Sequence, residues 1–362
     1  MSGSFRRRDF LKAAAGAAAA MAAPSILTAK KTDSAIVLGD APYAYEVQHN
    51  WPRLPDKYTW QTTHNVAIDK AGNLYVIHEG HKDKKDHPAI FVFDADGKFI
   101  RAFGQEFQGG GHGLEVHPEG SEEFLYVTGY QGLKKFAKLT LAGEKVWERH
   151  APMESGLYAK GEDKSTKPGM KRDSFQPTNI TFKGDGEGFY VADGYGAYVI
   201  HEYDKDANYK ATFGKPGTGE GEFTLPHGIW TDSRAPGRAA SLVVADRKND
   251  RLQWFTAEGD FIEELGGFVL PANVDTFKGQ MVVPELMARV TILDFHNNVV
   301  ARLGDDAAWR EKVSKKEIRK HPDQWPEGKF IHPHDACFDA QGNIFVAEWV
   351  ATGRITKLRK VS

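Results

Sequence analysis

The 362-residue chain holds a single cysteine, Cys337, so no intrachain disulfide can form even in an oxidising compartment. Stability must come from burial and strand pairing instead. Net charge is scarce too. Its 47 Lys and Arg against 49 Asp and Glu leave a formal −2, so nothing in the charge balance points to nucleic acid or an anionic membrane. Long apolar runs are missing. The one candidate, the alanine-rich part of SGSFRRRDFLKAAAGAAAAMAAPS, is too short and too rich in alanine to span a bilayer. There is also no P-loop, dinucleotide loop or serine-nucleophile elbow. GKPGTGEGEF is glycine-rich, but it joins two repeat units and no helix follows it, so it does not read as a phosphate cradle.

The N-terminal stretch does carry Arg6 to Arg8, then Phe10-Leu11-Lys12, a weakly apolar segment and small residues. That layout predicts a twin-arginine signal peptide over 1–30, cleaved between Ala22 and Lys31. It implies the Tat export machinery as a partner and a periplasmic or otherwise exported protein. Tat substrates cross folded, which suits a metal or cofactor loaded inside the cell. The remainder, 31–362, is long enough for one large β domain with a sizeable core.

Self-similarity organises that domain. Aligned on Gly-Asn and Gly-Asp turns, six segments emerge: His64 to Gly104, His112 to about His150, Gln176 to Gly214, Leu225 to Gly267, Val269 to Gly304, and Ile331 to the end. Each alternates apolar and polar residues in short runs such as VAID, NLYVI, IFVFD and GKFIRAF. A period near 40 residues with four strands apiece is the signature of propeller blades. The sixth copy ends at ITKLRKV without a fourth strand, and the strand-like 35–48, AIVLGDAPYAYEVQ, can supply it and close the ring. The expected fold is all-β, a six-bladed β-propeller. Two inserts interrupt it: 151–174, charged and turn-rich, and 305–329, whose Asp-Asp start predicts a short capped helix.

Histidine recurs at one place in the repeat. His64, His227 and His334 each precede an aspartate (Asp69, Asp232, Asp339) by five residues, and His112 stands in the same slot before Leu114 and Val116. The third and fifth copies hold Thr178 and Ala272 there. Four of six slots are histidine in a chain with 14 among 362 residues. The first strand of a propeller blade lines the channel, so these side chains should meet at one mouth and could ligate a divalent transition metal. The other reading is a copied histidine that only hydrogen-bonds the wall. His78 and His332 lie near the same mouth and are candidates for substrate contact. His49, His201, His296 and His321 are expected in solvent.

The segments FQPTNITF…YVADGYGAYVIHEY, ATFGKPGTGEGEFTLPHGI, VVADRKNDRLQWF and HPHDACFDAQGNIFVAE resemble NHL-repeat propellers, and among them the peptidyl-α-hydroxyglycine α-amidating lyases. The resemblance covers most of the chain from VAIDKAGNLYV onward. It implies zinc on His112, His227 and His334, a catalytic tyrosine at Tyr195 and a catalytic arginine at Arg247. It also implies a structural calcium at Asp335 and the backbone carbonyls of Val66 and Leu114. The departures are specific. A second catalytic arginine of the family falls on Glu79 in IHEGH, a methionine near the last ligand falls on His332, His64 has no counterpart among the family's ligands, and its disulfides cannot form. The expected function is an exported metalloenzyme acting on a small molecule or peptide at the channel mouth, by lyase-like or hydrolytic chemistry with Tyr195, Arg247 and Glu79. The alternative is a binding or scaffold propeller whose metal is fully coordinated by four histidines.

Overall fold

The computed structural model describes residues 35–81, 83–84, 86–315 and 317–361; the signal-peptide reading of 1–30 lies outside them. Short apolar-polar runs pair as consecutive antiparallel hairpins. In the first blade Thr63–Ile68, Leu74–His78, Ile90–Phe93 and Phe99–Phe103 follow one another outward. Five further sheets repeat the order from Gly111–Glu119, Asn179–Phe182, Pro226–Asp232, Asp275–Phe277 and Pro333–Phe338. The middle strands are buried on both faces: every residue of Leu74–His78 and of Ile90–Phe93 is inaccessible. Outer strands such as Phe99–Phe103 are only half-buried. The protein is a six-bladed β-propeller.

Each apolar cluster sits between two neighbouring blades. Tyr75, Ile77 and Ile90 of the first blade meet Leu114, Leu125 and Val127 of the second, and the pattern repeats around the ring to Val76 and Phe93 against Phe345 and Ile355. The last sheet has five strands. Tyr45–His49 lies antiparallel on Arg354–Lys360, with Val37–Leu38 outside it. Tyr45 is fully buried in the cluster shared by the fifth and sixth blades.

In the insert 151–174, Glu162 forms a buried pair with Lys134 at 2.5 Å, and Tyr158 hydrogen-bonds Asp193 at 2.8 Å. The Asp-Asp start of 305–329 opens the helix Ala307–Ser314, with Asp306 accepting from the Trp309 N–H as N-cap. Trp309 and Val313 are buried, and the Trp309 indole donates to the Phe330 carbonyl. Both inserts reach the same mouth, where Met170 and Arg319 line a common cavity.

Candidate metal centre

The four histidines stand at the starts of inner strands, and each marks a break in ladder register. The shifts fall between Thr63 and Asn65, Gly111 and Leu114, Pro226 and Gly228, and Pro333 and Asp335. A bulge releases one residue from the pleat and re-aims its side chain, here toward the axis. Crowding at the axis explains the residue after two of them. A Cβ on Gly228 would lie 2.4 Å from Asn273 Cα, and one on Gly113 2.6 Å from the Thr178 carbonyl.

The rings form a closed circuit. Centroids of His64 and His112 are 4.6 Å apart, His112 and His227 4.8 Å, His227 and His334 4.6 Å, and His334 and His64 4.6 Å. Donor nitrogens of His64, His112 and His334 all lie within 4.8 Å of one another, a group that could hold a metal ion. His227 stands beside this triad rather than in it, its Nε2 3.1 Å from that of His112. The repeat placed all four in one ring while the resemblance implied His112, His227 and His334; the triad of mutually close donors includes His64 and leaves out His227.

Tautomers follow from the partners. Nδ1 of His112, His227 and His334 lies 2.7, 2.6 and 2.8 Å from the carbonyls of Thr178, Ala272 and His64 respectively. Each acceptor belongs to the equivalent slot in the next blade. A carbonyl only accepts, so Nδ1 carries the proton and Nε2 is left with its lone pair. Burial, reinforced by neighbouring rings and Arg247, holds all three well below the usual imidazole range, so they are neutral. The Nε2 atoms of His112 and His227 therefore point lone pairs at each other across 3.1 Å. The Tyr195 O–H, 3.3 and 3.0 Å away, can donate to only one of them. Among the described residues His64 Nδ1 meets no hydrogen-bond partner, and its Nε2 has only the Glu79 carboxylate at 3.4 Å. Such a donor set, with the second nitrogen of three rings fixed by a carbonyl, fits a divalent transition metal.

Tyr195 accepts from Arg247 Nη2 at 2.8 Å. Burial pushes its phenol up, and the guanidinium partly offsets this. Glu79 Oε2 lies 3.4 Å from His64 Nε2, and its Oε1 accepts from the Tyr130 O–H at 2.7 Å. Burial alone would raise this carboxyl, but His64, Tyr130 and Arg319 outweigh it and the net shift is downward. His332 lines the same cavity, its Nδ1 2.6 Å from the Leu286 carbonyl. His78 does not line it. The ring is buried against Trp60 and Phe91, because it ends the second strand where equivalent positions point into their own blade, as Asp246, Glu285 and Glu348 do. His201 and His49, expected in solvent, are buried and half-buried, each within 2.7 Å of a threonine hydroxyl.

Sequence reasoning missed Tyr130, Arg319 and Trp349. Tyr130 was within reach, since VTGY in the second copy parallels VADGY in the third. Arg319 sits in an insert with no repeat to align it. Together with Glu79, Tyr195, Arg247 and His334 these residues line a cavity of about 460 Å³ over the ring.

Toward the other end of the inner strands, Asp335 accepts from the Val66 N–H at 2.8 Å and from Asn273. Val66 thus meets this carboxylate through its N–H, and each Asp335 oxygen accepts one hydrogen bond. Asp275 and Glu115 lie nearby in a second cavity of about 340 Å³. Burial pushes Asp275 and Asp335 up to about 7 and Glu115 well above its usual range.

No protein-family model matches the chain. NHL repeat-containing protein 3 of Homo sapiens is 28% identical over 233 residues, 62% of this chain and 59% of that protein. Peptidyl-glycine alpha-amidating monooxygenase A of Xenopus laevis is 25% identical over 225 residues, 55% of this chain and 22% of that protein. The match thus spans about three fifths of the first relative and about a fifth of the second. Among solved structures, a catalytically inactive virginiamycin B lyase from Staphylococcus aureus with quinupristin superposes with TM-score 0.54 at 14% identity, covering 88% of this chain and 100% of that one. That likeness shows the fold alone. The chain is a six-bladed β-propeller homologous to NHL-repeat proteins, with buried histidines at its axis that could hold a metal ion.

Proposed function

We propose that the protein is an exported metalloenzyme that cleaves a C–N bond at the channel mouth, by elimination or hydrolysis. The observation that carries this reading is the facing pair of imidazole lone pairs at 3.1 Å, with Tyr195 and Arg247 packed on them at the floor of an open cavity. His112, His227 and His334 would hold the ion through Nε2, with His64 as a fourth donor. Zinc bound there would supply Lewis acidity toward a substrate oxygen. With a cation on the rings and Arg247 beside it, Tyr195 would ionise, and its Oη would then take the proton of a substrate hydroxyl and return it to the leaving nitrogen. A C=O bond then forms, the C–N bond breaks with its electrons on nitrogen, and that nitrogen is reprotonated. Homology to the amidating monooxygenase over 55% of this chain supports the elimination route. Glu79 beside His64 supports a hydrolytic variant in which a carboxylate orients water.

Calcium at Asp335, Val66 and Leu114 is part of the same proposal. One hydrogen bond to each Asp335 oxygen leaves each a further lone pair for the cation. A second reading, a closed structural metal in a scaffold propeller, is favoured by one observation: His64 belongs to the triad of mutually close donors.

The test is elemental analysis of folded protein recovered from the periplasm, beside His227→Ala. About one equivalent of transition metal, lost in the variant, is expected. Recovery only from the cytoplasm would end the export reading, and metal-free wild-type protein would end the metalloenzyme. An α-hydroxyglycine peptide should then yield amide and glyoxylate. Full metal without turnover transfers the protein to hydrolysis or to the scaffold reading.

A further inference from the structure

The mouth opposite the histidines is acidic, and its acids are unpaired. Asp69, Glu115, Glu123, Asp275, Asp335 and Asp339 line the cavity of about 340 Å³ there, against one lysine, the exposed Lys70. Among the described residues none of these carboxylates forms an ion pair with lysine, arginine or histidine. Other buried carboxylates close on a cation: Glu162 on Lys134, Asp246 on Arg251, Glu285 on Arg289 and Glu348 on Arg354, at 2.5–2.9 Å. Hydrogen bonds account for most of the six. Asp69 and Asp339 each close their own hairpin turn, Glu123 accepts from the Lys70 N–H, and Asp275 accepts from the N–H groups of Thr276 and Phe338. Glu115 has no such explanation. It is only 9% exposed, lines the cavity, and meets neither a hydrogen-bond donor nor a cation among the described residues.

Glu115 and Asp275 each stand three residues past the repeat slot, which holds His112 in the second blade and Ala272 in the fifth. Alternation turns that position to the channel, since the residue before it, Leu114 or Val274, packs between blades. The second and fifth blades oppose each other in a ring of six, so the two carboxyls stand on facing walls, close enough to feel each other's charge. Asp335 lies nearer the histidines, one residue past its slot. Acids spread in this way do not enclose a bare ion together: among the described residues the one group of three side chains that could is His64, His112 and His334. Aromatic rings share the wall. Trp230, at the same level in the fourth blade, is fixed by its indole N–H on the Thr276 hydroxyl at 2.9 Å. Phe277 stacks on Phe338 with centroids 5.6 Å apart.

We propose that this mouth binds a linear aliphatic polyamine, one ammonium group held between Glu115 and Asp275 and its methylene chain laid on Trp230 and Phe277. An ammonium carries three N–H donors, enough to reach carboxylates on facing walls, and each such bond is charge-assisted. Further ammonium groups along the chain meet Asp335 on the inner side or Glu123 at the rim, which a single point charge cannot do. The aromatic faces attract the cation as well. Burial raises Glu115 and Asp275, and the charge of Asp335 adds to it; a bound cation offsets both. The volume, about 340 Å³, lies at the lower end of the roughly 300–1,000 Å³ of small-molecule sites. Polyamine binding here is independent of any chemistry at the histidines.

Isothermal titration calorimetry with spermidine, n-butylamine and calcium tests the proposal, at an ionic strength of about 0.15 M that screens loose surface attraction. Spermidine should bind saturably, and n-butylamine at least about tenfold more weakly. Glu115→Gln removes a charge but no hydrogen bond. It should weaken spermidine roughly ten- to a hundred-fold without moving the unfolding midpoint. Glu115→Asp should recover part of the loss, and Asp275→Asn should repeat it. Chelator-treated protein should bind spermidine equally well, since neither Glu115 nor Asp275 belongs to the proposed calcium set. Absence of saturable spermidine binding, equal affinity for spermidine and n-butylamine, or a spermidine affinity untouched by Glu115→Gln overturns the proposal. Calcium binding lost in Glu115→Gln, with spermidine unbound, would assign these acids to a hydrated metal ion instead.

Discussion

His201 illustrates how a single side chain can report its surroundings. Its Nδ1 lies 2.7 Å from the Thr212 hydroxyl and its Nε2 contacts the Tyr158 hydroxyl, which also bonds Asp193 at 2.8 Å. Burial pushes His201 down to about 3, from an ordinary 6.5. A depressed imidazole contributes stability that is intact above 6.5 and fades as the pH falls from there toward 3. Urea unfolding with chelator present should therefore show a loss between pH 7.5 and 5, and His201→Gln should shrink that loss. Equal losses in both proteins would remove His201 as the cause. This residue was misplaced by sequence because HEY reads as a polar run, whereas Tyr158, supplied by the insert, covers it. The four ring histidines were legible because the repeat itself aligns them. His78 was not, since one step along a strand moves a side chain from mouth to blade interior.

The helix Ala307–Ser314 is short and would be marginal alone. Trp309 anchors it, through the cluster with Tyr45, Phe330 and Val313 and through its indole N–H on the Phe330 carbonyl. Trp309→Ala should cost about 3–5 kcal/mol in denaturant unfolding. A loss below about 1 kcal/mol would mean the helix does not depend on its tryptophan. The Asp-Asp cap marked this element in advance, and the hairpin turns marked the strands. The bulges at the four histidines carried no such sign, because a bulge depends on which residues of two strands pair, not on either strand's composition.

Closure couples all six interblade cores. Tyr45–His49 on Arg354–Lys360 joins two chain ends more than 300 residues apart, and His49 bonds Thr356 across the seam. A chain beginning at Trp51 would expose Arg354–Lys360 as an open edge and strip fully buried Tyr45 from its cluster. Size-exclusion chromatography should show this truncation as aggregate or higher oligomer, with an earlier unfolding transition. A monomer with unchanged unfolding would show that the seam strand is dispensable.

Period and turn chemistry determined, from sequence alone, the number of blades, the strand order and the slot that holds His64, His112, His227 and His334, since alternation and hairpin signals are local. Tertiary structure alone decided the rest: His64 beside His334 across 270 positions, Tyr195 on two of the rings, Arg319 over Trp349. Those contacts depend on how far each blade rotates about a common axis, and no short stretch of residues encodes that distance.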